Sequence, residues 1–380
     1  MSLHPVVGHE DLLSSIARAH ERTSLPSSLL LHGPRGVGKQ RVALWIAQLT
    51  ICERPAAEGP CEKCGACRMA LKLEHPDVHW YFPLARPKGV AGDRLVTALE
   101  DARMQGLEDL RAEPLYASHT ADVRGLYFGI TRTIRRQAHL RPNMAAGQVF
   151  IIGNAELLVP QEASPEAANA LLKLLEEPPG TSRFILTSSE PGRLLPTILS
   201  RTVALHVTPL STDSIDNFLN EHTDADREIT KWACKLSRGS IGRALGFLPD
   251  GEEEGPLESL RRQALALIEV AVVQDPGQGY ELSLSYPSAG ARALIPLCAF
   301  IEEWLRDLGA IVSGAGDRVF NFDKHSQLQE LVARTSIRGP DIVLALTEVE
   351  QARELARGNV NPQLIVNGLV RNLRRRLIAT

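Results

Sequence analysis

Gly33-Pro34-Arg35-Gly36-Val37-Gly38-Lys39-Gln40 is the stretch that decides the fold. It carries the whole G-x-x-x-x-G-K pattern of a phosphate-binding loop. In such a loop the glycines let backbone N–H groups close around phosphate, and the lysine neutralises β/γ charge. The flanks have the order the motif needs. Ser28-Leu29-Leu30-Leu31-His32 is an apolar run ending at the loop, and residues 39–51 continue as a largely apolar helix. Strand, loop and helix in that order predict a P-loop α/β domain, with Gly33, Gly36, Gly38 and Lys39 as its phosphate contacts. One part is missing. The residue after the lysine should be Ser or Thr, whose hydroxyl ligates Mg²⁺, and here it is Gln40.

A second part of the metal site fails in the same direction. A hydrolysing P-loop protein needs a carboxylate at the end of an apolar strand. Residues 148–152 have that strand character, but Gly153-Asn154-Ala155-Glu156 follows. Neither Gly153 nor Asn154 can hold a metal as a carboxylate, and Glu156 is expected to face outward, two positions too late. Two independent losses at one metal predict a loop released from catalysis, with ATP bound weakly or not at all and no intrinsic ATPase. The opposing reading is a self-sufficient ATPase. Gln40, Gly153 and Asn154 speak against it.

Outward from the loop, the pattern is helical over residues 6–22. It predicts strands over 77–82, 183–187 and 203–207, a basic helix over 130–139 and an amphipathic helix over 167–176 stopped by Pro178-Pro179-Gly180. Residues 83–124 read as an irregular insertion. Strands alternating with helices imply a parallel sheet. After Pro209 short helices take over. Residues 249–256, turn-forming and acidic, read as a linker, and everything beyond is helix-patterned. The expected organisation is a P-loop domain over residues 1–208 with a cysteine module at about 52–67, a small helical lid over 209–249, and an all-α C-terminal domain over 256–380.

The bulk numbers narrow the partners. A net charge of -3 over 380 residues gives no global field for nucleic acid, so any contact is a local patch. Arg132, Arg135 and Arg136 form one such patch on one helix, although charged helix faces are more often merely solvated. Arg371, Arg374, Arg375 and Arg376 fit the rim of a subunit interface better than a DNA contact. The N-terminus lacks the pattern of a signal peptide. The longest apolar candidate for a membrane span, residues 264–273, is short and carries Glu269, so a cytoplasmic protein is expected.

Cys52, Cys61, Cys64 and Cys67 have the spacing of a tetrahedral metal site. Two overlapping C-x-x-C pairs lie nine residues beyond a fourth cysteine, and Gly65 permits the turn. Disulfides are disfavoured in the cytosol, and a redox C-x-x-C needs two cysteines, not four. Structural zinc is the expectation. Cys234 and Cys298 sit in apolar contexts and read as core.

Two further stretches are Ala167-Ala168-Asn169-Ala170-Leu171-Leu172-Lys173-Leu174-Leu175-Glu176-Glu177-Pro178-Pro179 and Leu195-Pro196-Thr197-Ile198-Leu199-Ser200-Arg201. On these stretches the chain resembles the clamp-loader family of AAA+ proteins, with Thr202 where the family has cysteine. It covers roughly residues 5–250. It implies that Arg201 is an arginine finger acting in a neighbouring subunit, and that the helical C-terminal domain is an assembly collar. It implies as partners motor-type ATPase subunits, a delta subunit, the sliding clamp and primed DNA. The cysteine module resembles the family's zinc module. The family's second sensing arginine is displaced here, because Gly239-Ser240-Ile241-Gly242-Arg243 puts glycine in its place.

Overall fold

The computed structural model describes residues 3–115, 124–158, 165–272, 276–335, 337–358 and 360–378. By packing, the chain divides into two compact units. One comprises residues 1–117 and 123–245, the other 246–380.

Among the described residues, the first unit is built on seven strands: β1 (Ser28–His32), β2 (Val78–Tyr81), β3 (Leu84–Ala85), β4 (Arg124–Gly125), β5 (Val149–Ile152), β6 (Arg183–Ser188) and β7 (Val203–His206). Five form an all-parallel sheet in the order β2-β5-β6-β1-β7, while β3 and β4 pair antiparallel beside it. The central strands β5, β6 and β1 are buried along almost their whole length because both sheet faces are covered. Alternate residues feed opposite layers. Leu29, Leu31, Ile151 and Ile185 pack on one face, and Leu30, Phe150, Ile152, Phe184 and Leu186 on the other.

The helices of this unit are α1 (Glu10–Glu21), α2 (Lys39–Ile51), α3 (Gly65–Leu71), α4 (Asp93–Ala112), α5 (Phe128–Ala138), α6 (Pro165–Glu176), α7 (Pro196–Leu199), α8 (Thr212–His222), α9 (Arg227–Leu236) and α10 (Ile241–Phe247). β1 and α2 have the bounds the sequence predicts. α1 does not. It starts at Glu10 rather than residue 6, because Gly8 and His9 take left-handed backbone angles (φ 68° and 64°) that no helix accommodates.

The larger correction concerns residues 83–124, predicted to be irregular. They contain the β3 and β4 strands and the 20-residue helix α4, while residues 116–123 lie outside the described ones. α4 buries Leu99, Arg103 and Leu107. Arg103 takes an inward position because Glu100 pairs with it, Trp80 O accepts its Nη1 at 3.3 Å, and its guanidinium lies over the Tyr81 ring.

The second unit is helical: α11 (Pro256–Val272), α12 (Pro276–Leu284), α13 (Leu294–Val312), α14 (His325–Thr335), α15 (Gly339–Arg357) and α16 (Pro362–Leu377). Its largest buried charge is Arg261, held by Glu258, Asp323 and Asn321. Of the C-terminal arginines, Arg374 donates to Val270 O and Ala271 O, and Arg376 pairs with Glu348. Both are thus engaged within their own unit.

Burial sets a pH dependence. His4, His20, His32, His75 and His79 all have lowered pKa values, in each case chiefly because burial disfavours the charged ring. His79, stacked 4.8 Å from Phe150, is pushed down to about 4 by burial and then by the Arg103 charge. An unfolded histidine titrates near 6.5. Between that value and 4 the unfolded chain binds a proton that the folded chain refuses. Stability is therefore full above about pH 6.5 and declines as pH falls toward 4. The urea midpoint is expected to drop between pH 7 and pH 5, and His79→Phe should shrink that drop. An unchanged pH profile in the variant would remove His79 as a cause.

Candidate functional site

The site lies where the carboxyl ends of β1, β5 and β6 meet the start of α2, the usual ligand crevice of an open parallel sheet. Only glycine fits the loop at two places. At Gly33 (φ 155°) a Cβ would stand 2.1 Å from Val207 O, and at Gly36 (φ 79°) it would stand 2.2 Å from Ser240 Oγ. Gly38, at φ 96°, opens α2 with no side-chain cap, so the first N–H groups of the helix face the loop. Lys39 is 5% exposed. Its Nζ donates to Gly33 O (2.9 Å), Pro34 O (2.6 Å) and Ser189 Oγ (3.0 Å). Burial lowers its pKa to about 8, and Glu156 opposes that shift.

Gln40 and Asn154 meet at the position expected to hold the metal. Gln40 Nε2 donates to Asn154 Oδ1 at 3.3 Å. Asn154 N donates to Thr187 Oγ1 at 3.0 Å, tying the turn to β6. Gly153 makes room for this amide, since a Cβ there would stand 3.0 Å from Gln40 Nε2. A hydroxyl and a carboxylate, the groups that ligate Mg²⁺, are replaced by two neutral amides.

Glu156 corrects the sequence reading. It does not face outward. Asn154 adopts a left-handed conformation (φ 50°) and leads into the short 3-10 turn Ala155–Leu157, which points Glu156 back toward the loop. Its Oε1 accepts from Ser189 N at 3.1 Å, while Oε2 is buried with no hydrogen bond among the described residues. Ser189 was also missed. The polar pair Ser188-Ser189, closing the strand beside β1, was the available signal.

The segment that opens α10 touches the loop directly. Gly242 N donates to Gly36 O at 3.2 Å. Arg243 donates Nε to Leu236 O at 2.9 Å, joining α10 to the end of α9.

Arg201 follows α7 at the surface. It donates Nη1 to Thr197 O (3.0 Å) and pairs with Glu176 at the end of α6. Leu195 and Leu199 beside it are exposed. Arg132, Arg135 and Arg136 are all exposed on α5, opposite the buried Ile130, Ile134 and Ala138. Arg132 pairs with Asp93 of α4 at 2.8 Å.

The four module cysteines converge. The Sγ atoms of Cys52, Cys61, Cys64 and Cys67 all lie within 4.8 Å of one another, against about 3.8 Å between thiolates on a tetrahedral zinc. Backbone N–H groups of Cys61, Cys64 and Cys67 point at Cys52, Cys61 and Cys64 Sγ, at 3.3 to 3.4 Å. N–H groups of Lys63 and Cys64 hold the Cys61 thiol down to about 6, favouring thiolate. All four are free of disulfides, and the set fits a metal ion. Cys234 and Cys298 are buried, as expected of core residues.

Among the described residues, no helix is long and apolar enough to cross a membrane. The family described as "DNA polymerase III, delta subunit" matches residues 8–211, more than half of the chain. The DNA polymerase III subunit delta' of Pseudomonas aeruginosa is 36% identical over 175 residues, 46% of this chain and 40% of that protein. The subunit delta' of Bacillus subtilis is 23% identical over 359 residues, 92% of this chain and 91% of that protein. The subunit tau of Bacillus subtilis is 26% identical over 269 residues, 70% of this chain and 37% of that protein. The chain thus spans less than half of the Pseudomonas relative and nearly all of the Bacillus delta' subunit. These matches settle the family: the chain belongs to the DNA polymerase III delta-subunit family, as a delta-prime-like clamp-loader subunit.

Proposed function

We propose that this chain is the non-hydrolysing member of a clamp loader, one that lends Arg201 to the ATP site of a neighbouring motor-type subunit. The observation that carries this reading is the Gln40–Asn154 amide pair, standing where metal-holding oxygens are needed. Without a hydroxyl or carboxylate there, this loop has no Mg²⁺ ligand of its own to neutralise a transferring phosphoryl group. Arg201 keeps the planar fork that suits phosphate. Gly33, Gly36, Gly38 and Lys39 keep the loop's shape, and nucleotide binding is weak or absent. The second unit acts as the collar that joins the other subunits, delta among them. The assembly loads the sliding clamp onto primed DNA in the cytoplasm. Arg132, Arg135 and Arg136 are the candidate contacts to the DNA backbone. Zinc held by the four cysteines has a folding role, because four protein ligands leave no open position for chemistry.

The inward carboxylate of Glu156 favours a second reading: an active ATPase in which Glu156 acts from a shifted position. ATP turnover by the purified chain alone separates the two. The expected result is no turnover above background. A rate of about 1 s⁻¹ or more, ordinary for an enzyme, would establish the second reading instead.

A further inference from the structure

Glu156 is a half-buried acid beside a loop shaped to hold phosphate. Lysine has three N–H donors, and Lys39 spends them on Gly33 O, Pro34 O and Ser189 Oγ, at 2.9, 2.6 and 3.0 Å. The same Ser189 donates its backbone N–H to Glu156 Oε1 at 3.1 Å. Lys39, Ser189 and Glu156 thus form one continuous chain of contacts across the ends of β1, β5 and β6. Glu156 Oε2 is shielded from solvent and accepts no hydrogen bond among the described residues, and its charge acts on that of Lys39.

A triphosphate seated on this loop would place its anionic oxygens near that carboxylate. A catalytic loop offsets such repulsion with Mg²⁺. Here Gln40 and Asn154 supply only neutral amide groups at the position of the ion. We propose that Glu156 is a built-in counter-anion, which takes the electrostatic place of a nucleotide phosphate beside Lys39 and so keeps the loop from binding ATP. The inference rests on the reading of this loop as released from catalysis, and it names the residue that enforces the release.

The test is calorimetric titration of the full chain with ATP, once with Mg²⁺ and once with EDTA. Glu156→Gln keeps an oxygen for the Ser189 N–H and removes the charge. It is expected to bind ATP roughly tenfold more tightly than the parent chain in both buffers, the scale of one nearby unit charge partly screened by solvent. Glu156→Asp keeps the charge and should bind as weakly as the parent. Glu156→Ser is the second neutral variant, should the glutamine chain not fold. Neutral variants that bind no more tightly than the parent would overturn the inference, as would an aspartate variant as tight as the neutral ones. Failure of every variant to bind would overturn it too. Turnover measured on the same samples bears separately on the proposed function, because a chain that hydrolyses ATP would fail that reading whatever its affinity.

Discussion

Arg201→Ala is expected to leave this chain folded and assembled while ATP turnover of the reconstituted clamp loader falls by roughly 10³-fold or more at the neighbouring site. The two halves of that result have different causes. At home, the guanidinium makes one ion pair with Glu176 and bonds to Thr197 O and Ser200 Oγ, and both side chains of the pair are substantially exposed. Pairs of this kind contribute about 0–1 kcal/mol, so neither the fold nor the melting temperature should move much. Truncation strands no buried charge either, because the Glu176 left behind stays in water. Next door, the same group would meet charge developing on the γ-phosphoryl in a water-poor interface, where a positioned fork is worth far more. Arg201→Lys keeps the charge and loses the fork, so it should fall between the two. The check is steady-state ATPase of the assembly beside a melt of the isolated chain. Wild-type turnover by the alanine assembly would refute the finger.

The parts of this molecule that could be read from sequence are those with local causes. The loop glycines, the apolar β1 and the start of α2 are adjacent in the chain, and their geometry follows from glycine's backbone freedom and continuous burial. The cysteine cluster was legible because three of its four members fall within seven residues. α4 was not, because its inward positions include Arg103 and also Gly106, which leaves space for Phe82. Neither residue scores as apolar in a periodicity count. Glu156 was misread for a related reason. Its direction depends on the left-handed turn at Asn154 and on Ser189, 33 residues further along, and no local pattern encodes that encounter. The Gln40–Asn154 bond joins residues 114 apart. Sequence could say that each was the wrong type for a metal, but not that the two would find each other.

Cys67→Ser is expected to remove the metal and lower the melting temperature of the first unit by about 10 °C or more. The module is no appendage. Cys64, Ala66, Cys67 and Ala70 belong to the same buried cluster as Trp45, Ile46 and Leu49 of α2, and Gly59 packs so closely on Trp45 that a Cβ would stand 2.6 Å from its ring. Small metal modules gain about 10–16 kcal/mol from zinc as isolated peptides. Only part of that should appear here, because unfolded cysteines also bind zinc and α2 already orders the nearby chain. Even several kcal/mol is large for a unit of this size, where each 1 kcal/mol moves the midpoint by roughly 2–4 °C. Serine is nearly isosteric with cysteine, so the change opens little cavity, and the loss reports the ligand rather than the packing. A chelator should reproduce the effect in the parent chain, whereas a reducing agent should not, since these cysteines form no disulfide. Elemental analysis and chelator-dependent melting together decide the matter. Zinc well below one per chain in the parent protein, with a melt indifferent to chelator, would show that the four thiols converge for packing alone.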